Sequence, residues 1–295
     1  MVTILITGGT GLVGQLLQRK LTNKGYIVRI LTRTPKLSNE FAWDIKNNFI
    51  DKKAFENLDY IIHLVGAGIA DKRWTEARKK EIIYSRTASA SMLFKKIQQL
   101  NINLKGFIAA SAIGYYGAVT TTHIFTEKDN PANDFLGNVC QLWETASLEF
   151  QKQNIPVTIF RLGIVLSSNG GALSKMNTPF FIAPIASGKQ YIPWIHIEDV
   201  TNLFIHAIEN HVTGIYNAVA PNNQTNYSFS KLLAKVNNKV FLPIGVPAFL
   251  LQLMFGKMAI ILTTGSRISS EKILQSNFQF SFVNLQNALA DLIKK

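Results

Sequence analysis

Residues 2–14 read VTILITGGTGLVG, a short β-branched apolar run that ends in a glycine-rich loop and leads into a helical pattern. Gly8, Gly11 and Gly14 have the spacing G-x-x-G-x-x-G. In a strand–loop–helix unit, the first glycine allows a tight turn, the second lets the backbone approach a pyrophosphate, and the third lets the helix pack closely on the strand. The N–H groups at the start of the helix attract phosphate. The stretch therefore predicts a dinucleotide-binding loop, with a purely structural turn as the alternative.

The end of the second predicted strand distinguishes NAD from NADP. An NAD site carries an acidic residue about 20 residues beyond the glycines, where its carboxylate accepts a hydrogen bond from the ribose 2′-hydroxyl. Here residues 28–36 read VRILTRTPK, and the first acid that follows is Glu40. Arg33 stands where its guanidinium can pair with a 2′-phosphate. The sequence thus favours NADP(H) over NAD(H), unless Arg33 is only a solvated loop residue.

Beyond this loop, β-branched runs alternate with helical windows, which is typical of βα units and a parallel sheet. The predicted strands are Val2–Thr7, Tyr26–Thr32, Tyr60–Leu64, Gly106–Ala110 and Val157–Leu162. The predicted helices are Leu12–Lys24, Trp74–Leu100, Phe135–Gln153 and a segment near Ile197–Glu209. We therefore predict an α/β protein, with a Rossmann-type doubly wound parallel sheet and a small mixed C-terminal lobe. The predicted division is a dinucleotide-binding domain at residues 1–220, with substrate-lobe elements from about residue 165, and a C-terminal domain at residues 221–295.

Composition and charge exclude several classes of protein. Of the 295 residues, 47% are hydrophobic and only 17% are charged, so the chain can bury a large core and is not disordered. The net charge of +13 attracts anions, but the basic residues are dispersed, and we expect no nucleic-acid binding. A single cysteine, Cys140, excludes an intramolecular disulfide, and without a predicted signal peptide we expect a cytoplasmic protein. The apolar segment Val246–Leu262 is too short and too interrupted to span a membrane.

Further short motifs are distributed along the chain. They are Gly66-Ala67-Gly68-Ile69, Arg73-Trp74-Thr75, Ser111-Ala112-Ile113-Gly114-Tyr115-Tyr116-Gly117, Val139-Cys140-x-x-Trp143-Glu144, Arg161-Leu162-Gly163, Gly170-Gly171-Ala172-Leu173, Trp194-Ile195-His196-Ile197-x-Asp199 and Asn217-Ala218-x-Ala220-Pro221-Asn222. Together with the glycine loop, they resemble the atypical, extended branch of the short-chain dehydrogenase/reductase superfamily. Within it, the chain is similar to the bacterial nucleotide-sugar-epimerase-like proteins that carry their own small C-terminal domain. The resemblance implies NAD(P) binding and oxidoreductase or epimerase chemistry, without a defined substrate.

The resemblance also implies a catalytic serine, and Ser111 matches it directly after the strand Gly106–Ala110. In the superfamily, a Tyr-x-x-x-Lys pair on the next helix moves the proton while the nicotinamide accepts or gives a hydride. That pair is absent, because Phe135–Phe150 contains neither Tyr nor Lys, and Cys140-x-x-x-Glu144 stands at the comparable place. A lysine ammonium lowers the pKa of a phenol, which a carboxylate cannot do. We therefore expect another group near Ser111 to carry the proton.

The candidate site residues follow from these motifs. The catalytic candidates are Ser111, Tyr116 and Glu144, and the substrate-binding candidates are Arg161, Tyr115 and Cys140. Each has a structural alternative: an acceptor for an arginine at Glu144, ring packing at the tyrosines, a buried small side chain at Cys140, and an ion pair at Arg161. The cofactor-binding candidates are Thr7, Gly8, Thr10, Gly11, Leu12, Val13, Gly14, Arg33, Leu64, Gly66 and Arg86.

Two functions remain open at this point. One is an NADP(H)-dependent oxidoreductase or nucleotide-sugar-epimerase-like enzyme that acts on a small polar substrate. The other is a non-catalytic NADP(H)-binding regulatory or partner-binding protein, since cell-division-related names occur in the branch. The segment Val246–Leu262 either docks a partner or forms a core helix pair. The spacing of the five histidines predicts no metal site, and either a monomer or a homodimer fits the sequence.

Overall fold

The computed structural model describes residues 1–293, and its first half alternates strands with helices. The strands are, in chain order, β1 (Thr3–Thr7), β2 (Ile27–Thr32), β3 (Glu40–Asp44), β4 (Phe49–Ile50), β5 (Tyr60–His63), β6 (Gly106–Ala112), β7 (Ile124–Phe125), β8 (Val157–Leu162), β9 (Ile164–Ser167), β10 (Gly170–Gly171), β11 (Phe181–Ile182), β12 (Tyr191–Ile192), β13 (Trp194–His196), β14 (Gly214–Ala218), β15 (Gln224–Thr225), β16 (Val240–Phe241) and β17 (Arg267–Ile268).

The α-helices are α1 (Leu12–Asn23), α2 (Glu76–Gln99), α3 (Phe135–Leu148), α4 (Ala172–Met176), α5 (Ile197–Glu209), α6 (Asn226–Val236), α7 (Ala248–Phe255), α8 (Ile260–Thr263), α9 (Glu271–Gln275) and α10 (Leu285–Ile293). Short 3₁₀ helices occupy Lys52–Phe55, Ile113–Tyr116, Glu149–Gln153 and Gly256–Ala259.

The central sheet has the strand order β14-β8-β6-β5-β1-β2-β3-β4 within the described residues. Neighbouring strands are parallel except at the β3–β4 edge, which is antiparallel. After β1 the chain builds β2, β3 and β4 on one side and then returns to place β5 on the other side of β1. The order therefore reverses between β1 and β5, and in open α/β sheets ligands bind outside the carboxyl ends of the strands at such a switch point. The predicted α/β Rossmann-type sheet is confirmed.

Helices cover both faces of this sheet because its strands are apolar on both sides. Along β1, Ile4 and Ile6 belong to one core together with Leu17 of α1, and α5 completes that layer. Leu5 points to the opposite face and belongs to a second core together with Leu93 of α2. Successive residues of a strand face opposite sides. The continuous apolar run of β1 is thus what a strand buried on both faces requires.

The C-terminal part builds a smaller lobe of short mixed elements. A third core contains Trp194 of β13, Phe229 of α6 and Leu289 of α10. Around it lie the three-stranded sheet β10-β9-β13 and the two-stranded pairs β11–β16 and β12–β15. These elements confirm the predicted small mixed C-terminal lobe. The division at residue 220 stays a prediction.

The predicted elements differ from the observed ones mainly at their ends. α2 begins at Glu76 rather than at Trp74, because the Thr75 hydroxyl caps it by accepting a hydrogen bond from the N–H of Arg78. The helix predicted over Phe135–Gln153 is α-helical to Leu148 and continues as a 3₁₀ turn. The sequence left open whether Val246–Leu262 docks a partner or forms a core helix pair. Its first helix, α7, is not a core helix, because only Leu251 of α7 is buried.

Candidate functional site

The glycine-rich loop joins β1 to α1 at the switch point. Gly8 has a φ of +73°, and a Cβ there would lie 3.0 Å from the carbonyl carbon of Leu64, which follows β5. At Gly14 a Cβ would lie 2.3 Å from the carbonyl oxygen of Gly8, so no side chain fits. At Gly11 a Cβ would meet only that same oxygen, at 3.3 Å. The loop is therefore packed against backbone at Gly8 and Gly14 and open at Gly11.

The first turn of α1 is built to receive an anion. No side chain in residues 1–293 caps the helix at Gly11, and the first turn contains no acidic residue. Leu12 and Val13 begin the helix half-buried, and the carbonyl oxygen of the exposed Thr10 accepts a hydrogen bond from Gln15 Nε2 at 2.8 Å. The N–H groups of an uncapped first turn bind phosphate well. The loop thus fits the pyrophosphate of a dinucleotide.

A buried chain of hydrogen bonds ties β1 to β5 and α2 next to this loop. Thr7 Oγ1 lies 2.8 Å from His63 Nδ1, and His63 Nε2 lies 3.1 Å from the hydroxyl oxygen of Ser89. Because the Ser89 hydroxyl donates to the carbonyl oxygen of Ser85, its oxygen accepts from His63 Nε2, and Nδ1 accepts from Thr7. Burial lowers the pKa of His63 to about 4, and the charge of Arg86 also lowers it. His63 is therefore neutral and fixes the Thr7 side chain.

Arg33 follows β2 and is exposed. In the described part of the chain, its guanidinium makes no hydrogen bond and no ion pair. The carboxylate of Glu40 instead accepts hydrogen bonds from the N–H groups of Lys36 and Leu37, at 2.6 and 3.3 Å. An exposed cation whose neighbouring acid is already engaged suits a 2′-phosphate better than a ribose 2′-hydroxyl.

Arg86 of α2 lies against the loop that follows β5. Its Nη1 donates to the carbonyl oxygens of Ala67 and Ile82 at 3.0 and 2.9 Å, and a Cβ on Gly66 would lie 2.9 Å from its Cζ. The guanidinium lies 4.7 Å from the ring centre of Trp143. Burial lowers the pKa of Arg86 to about 10. Within residues 1–293 no carboxylate pairs with this buried cation.

Ser111, Glu144 and Arg161 form one buried network at the carboxyl ends of β6 and β8, where Ser111 and Arg161 are register partners. Arg161 Nε and Nη2 donate to the two carboxylate oxygens of Glu144, each at 2.8 Å. The Ser111 hydroxyl donates to Glu144 Oε1 at 2.7 Å. Burial by itself lowers the pKa of Arg161, but the hydrogen bonds and charge of Glu144 outweigh it and raise that pKa above its usual range. Glu144 is therefore an ion-paired carboxylate.

The network continues through Tyr116 to β14. Arg161 Nη1 donates to the Tyr116 hydroxyl at 2.9 Å, and that hydroxyl donates to Asn217 Oδ1 at 2.6 Å. The N–H of Asn217 donates to Glu127 Oε1 at 2.7 Å. Burial raises the pKa of Tyr116 to about 12. Tyr115 is half-buried and stacks on Arg161, whose Cζ lies 3.3 Å from the ring centre, and its hydroxyl makes no hydrogen bond to residues 1–293.

Cys140 lies one helical turn before Glu144 on α3 and is buried. Its Sγ packs near Gly114, where an added Cβ would lie 3.5 Å away. Burial raises the pKa of the Cys140 thiol to about 12, and the charge of Glu144 raises it further. The side chain is thus a neutral thiol at pH 7, which suits packing better than nucleophilic chemistry.

A cleft of about 570 Å³ opens between the start of α3 and the segment from α7 to α8. Its lining residues are Trp74, Lys79, Ala118, Asp134, Phe135, Leu136, Gln252, Gly256, Lys257, Ala259, Ile260 and Thr263. Leu136 stands about two helical turns before Glu144, so the cleft begins roughly 12 Å along α3 from the buried network.

The cleft combines an apolar wall with positive charge. The rings of Trp74 and Phe135 meet edge to face with their centres 4.8 Å apart, and Lys79 Nζ lies 5.5 Å from the ring centre of Phe135. Lys257 contributes a second ammonium group. Asp134 is already engaged, because its carboxylate caps α3 and accepts hydrogen bonds from the backbone. Lys79 Nζ is ion-paired with Glu76 at 2.9 Å, so Lys257 supplies the positive charge that the cleft offers.

Several residues of these networks were not among the sequence candidates. In the sequence, His63 was considered only as one of five histidines without the spacing of metal ligands. Glu127 belongs to none of the motifs. Asn217 carried a signal, since it opens the Asn217-Ala218 motif on which the family resemblance partly depends. Among the residues that the structure describes, no group of three or more His, Cys, Asp or Glu side chains is arranged to hold a metal ion.

The sheet topology and the open glycine loop at its switch point define this chain as a Rossmann-type protein of the dinucleotide-binding class. The model of the NAD dependent epimerase/dehydratase family matches residues 4–219, and the chain belongs to this family. A second model, a domain of unknown function called DUF1731, matches residues 246–292.

Relatives in the family match over their whole length. The human epimerase family protein SDR39U1 is 32% identical over 300 residues, which cover 98% of this chain and 99% of that protein. A Staphylococcus aureus epimerase family protein is 33% identical over 301 residues, covering 99% of both chains. The crystal structure of the human protein with NADPH superposes with a TM-score of 0.88 at 29% identity and covers both chains completely. These matches confirm the resemblance to atypical short-chain dehydrogenases/reductases.

Proposed function

We propose that this protein binds NADP(H) in preference to NAD(H) and acts as an oxidoreductase or epimerase-like enzyme on a small molecule. One observation carries the proposal: Arg33 and Arg86, which flank the switch point, have no anionic partner in residues 1–293 beside an uncapped helix N-terminus. A buried cation without an internal partner is costly unless a ligand supplies the opposite charge. The NADPH in the crystal structure of the human relative supports this reading.

The residues that hold the cofactor divide by the part of it that they bind. The backbone from Gly8 to Gly14 binds the pyrophosphate, and Arg33 pairs with the 2′-phosphate. Leu64, Gly66 and Arg86 flank the nicotinamide half. When bound, NADP(H) supplies or accepts a hydride at the nicotinamide ring.

In this proposal Ser111 handles the proton. Its hydroxyl donates to Glu144, so its oxygen is left to accept a hydrogen bond from a substrate hydroxyl. During alcohol oxidation that substrate proton moves to Ser111 as the Ser111 proton moves to Glu144, and carbonyl reduction runs in reverse. Tyr116 is the poorer candidate, because its hydroxyl has partners on both sides and its pKa is about 12. Tyr115 is the phenol that remains available to a substrate.

The cleft beside α3 is the proposed substrate site. Apolar rings at Trp74 and Phe135, together with the ammonium group of Lys257, suit a substrate with an apolar body and an anionic group. This description differs from the small polar substrate expected from the sequence, because it adds an apolar body.

A non-catalytic NADP(H)-binding function is favoured by a different observation. Ser111, Glu144 and Tyr116 all find hydrogen-bond partners within the protein. A network whose polar groups all bond to each other can stabilise the fold, and its presence does not require a catalytic function. The two functions share the cofactor site and differ only in turnover.

The cofactor preference is tested by titrating NADPH and NADH while following intrinsic fluorescence. We expect NADPH to bind more tightly than NADH, because only NADPH carries the phosphate that Arg33 can pair with. Arg33→Ala is expected to weaken NADPH binding by about 1.5–3 kcal/mol and to leave NADH binding unchanged. The exposed Lys52→Ala is the matched control. Equal affinity of the wild-type protein for both nucleotides contradicts the assignment of Arg33.

The loop assignment is tested at Gly11, where an added side chain disturbs the fold least. Gly11→Val is expected to fold, as judged by circular dichroism, and to lose NADPH binding by more than about 100-fold, since a β-branched side chain blocks the approach of the pyrophosphate. Gly11→Ala adds a smaller side chain, and its affinity for NADPH should lie between those of the wild type and Gly11→Val. A folded Gly11→Val protein that binds NADPH normally shows that the loop does not hold the cofactor.

Catalysis is tested by following the absorbance of NADPH with a panel of carbonyl compounds that carry an apolar body and a carboxylate or phosphate. Once turnover is found, single variants identify the group that carries the proton. Ser111→Ala and Tyr115→Phe should each slow the reaction, and Tyr116→Phe should slow it less. Undiminished rates in all three variants show that none of these groups carries the proton, whereas a lack of turnover with the whole panel favours the non-catalytic function.

A further inference from the structure

An exposed apolar surface lies on the C-terminal lobe, away from the cofactor loop. Beginning in β16, the alternate residues Val240, Leu242 and Ile244 are exposed, Val240 at 63% and Ile244 at 83%. Alternate residues of an extended segment point to the same side. Phe181 of β11, the register partner of Val240, is also exposed and adds a ring to that side.

The same chain then runs through Pro247 into α7, which also exposes large apolar side chains. Phe249 and Leu253 are one helical turn apart and are exposed at 61% and 71%, and Met254 beside them is exposed at 63%. Arg73 donates hydrogen bonds to the carbonyl oxygens of Leu253 and Met254 and so holds the end of the helix in place. The apolar patch consists of Phe181, Val240, Leu242, Ile244, Phe249, Leu253 and Met254.

The charge on the segment that carries this patch has one sign, and the exposed Glu76 of α2 lies near Lys257. Residues 210–270 contain no Asp or Glu and five Lys or Arg residues, and residues 150–197 also lack acids. Lys257 follows Met254 within one helical turn, and Lys189 lies on the loop after Ile185, which bridges to Val246. Both lysines are exposed. An apolar surface that is flanked by exposed lysines is complementary to an apolar layer covered by anions.

We propose that the apolar patch docks this protein onto the surface of an anionic lipid bilayer. Phe, Leu, Ile and Met side chains insert a shallow distance below the headgroups, and nearby lysines pair with anionic lipids. A second copy of this chain fits less well, because a two-fold contact would bring the same cations against each other. No helix in residues 1–293 is long and apolar enough to cross a membrane, so the attachment proposed is to the surface.

The test measures co-sedimentation of the full chain with vesicles of phosphatidylcholine alone and with vesicles that also contain phosphatidylglycerol. We expect binding that increases with the anionic fraction and that weakens when salt is raised to about 0.5 M, since screening shortens the reach of the lysine charges. Lys189→Gln should lower the preference for anionic vesicles without abolishing binding.

The apolar contribution is tested with the double variant Leu253→Ser/Met254→Ser, which lies outside the cofactor site. It should lose vesicle affinity by about tenfold or more, because two large apolar side chains no longer insert. Phe49→Ser, which removes an exposed apolar ring from the opposite edge strand β4, is the matched control and should bind as the wild type does. Circular dichroism and NADPH titration verify that each variant is folded.

Four results overturn the proposal. The first is no binding to either vesicle, and the second is equal binding to neutral and anionic vesicles. The third is a protein that binds no vesicles but forms a concentration-dependent dimer in sedimentation velocity, provided that the Leu253→Ser/Met254→Ser variant abolishes the dimer. That result assigns the patch to a second copy of the chain. A double variant that stays folded and binds anionic vesicles like the wild type also excludes the patch.

Discussion

The carboxyl edge of the central sheet carries two polar regions that differ in where their hydrogen-bond partners come from. At β1 and β5, the first turn of α1 is uncapped, and Arg33 and Arg86 pair with no carboxylate in the described residues. At β6, β8 and β14, Glu144 and Tyr116 are instead joined through Arg161 into a network whose members serve one another. The first region has positive charges that can pair with a ligand, whereas the charges of the second region are already paired with each other.

The difference teaches which region responds to a ligand and which holds the fold. Cations without an internal carboxylate gain an ion pair from an anion that arrives from outside, because no internal ion pair has to be broken first. Groups in a satisfied buried network are expensive to separate, since each broken hydrogen bond leaves a desolvated partner behind. Substitutions in the first region should therefore weaken binding, whereas substitutions in the second should mainly weaken stability.

The largest effect is expected at Glu144. Glu144→Gln removes the charge that Arg161 pairs with and leaves a buried cation without its ion pair, so the free energy of unfolding should fall by about 3–5 kcal/mol. Urea denaturation measures the loss. The double variant Glu144→Gln/Arg161→Met should lose less, because no unpaired charge remains. A loss below about 1 kcal/mol for Glu144→Gln would show that the pair does not hold the second region together.

A pH dependence is expected in the first region because of His63. Its pKa is lowered from 6.5 to about 4 by burial, so the unfolded chain takes up this proton before the folded protein does. The stability that the neutral ring contributes is complete above about pH 6.5 and is lost as the pH falls toward 4, by about 3 kcal/mol in all.

Urea denaturation at a series of pH values measures this dependence. In His63→Gln the loss between pH 6.5 and 4 should be smaller than in the wild type, since no ring remains to take up the proton. The exposed His123→Gln is the control and should follow the wild type. If the free energy of unfolding falls equally with pH in the wild type and in His63→Gln, the acid sensitivity belongs to other groups.

The smallest effect is expected at Tyr116 and separates the two regions most directly. Tyr116→Phe removes a hydroxyl that accepts from Arg161 and donates to Asn217, and it should lower the free energy of unfolding by about 1–2 kcal/mol. The affinity for NADPH should not change, because the hydroxyl lies in the second region. A clear loss of NADPH affinity in fluorescence titration, with an unchanged free energy of unfolding, would show that Tyr116 serves the cofactor site and not the stability of the fold.

The fold was predictable because its signals are local. The spacing of Gly8, Gly11 and Gly14 and the apolar run before them identify the first strand, loop and helix without reference to the rest of the chain. The strand Val157–Leu162 was predicted with its observed ends. The ends of β1 and α1 were within one residue of the structure. Hydrophobic period and glycine spacing depend on neighbours in sequence, so one chain is enough to find them.

The sequence could also bring Ser111 and Arg161 to one edge of the sheet, because parallel strands end on the same side, and it placed Glu144 on the helix between them. Which of them bond to each other was decided only by tertiary structure. Tyr116 and Asn217 are 101 residues apart, and nothing in either local sequence shows that one hydroxyl lies against that amide. The neutral state of His63 depends in the same way on burial by distant segments.

The exposure of α7 is the clearest case of what the sequence left open. By itself the sequence determined that Val246–Leu262 is strongly apolar and that it does not span a membrane, and those properties fit a core helix as well as a surface one. Only the packing of the lobe leaves Phe249, Leu253 and Met254 exposed while Leu251 is buried. The physical reason is that hydrophobicity is a property of a side chain, whereas burial is a property of everything that packs around it.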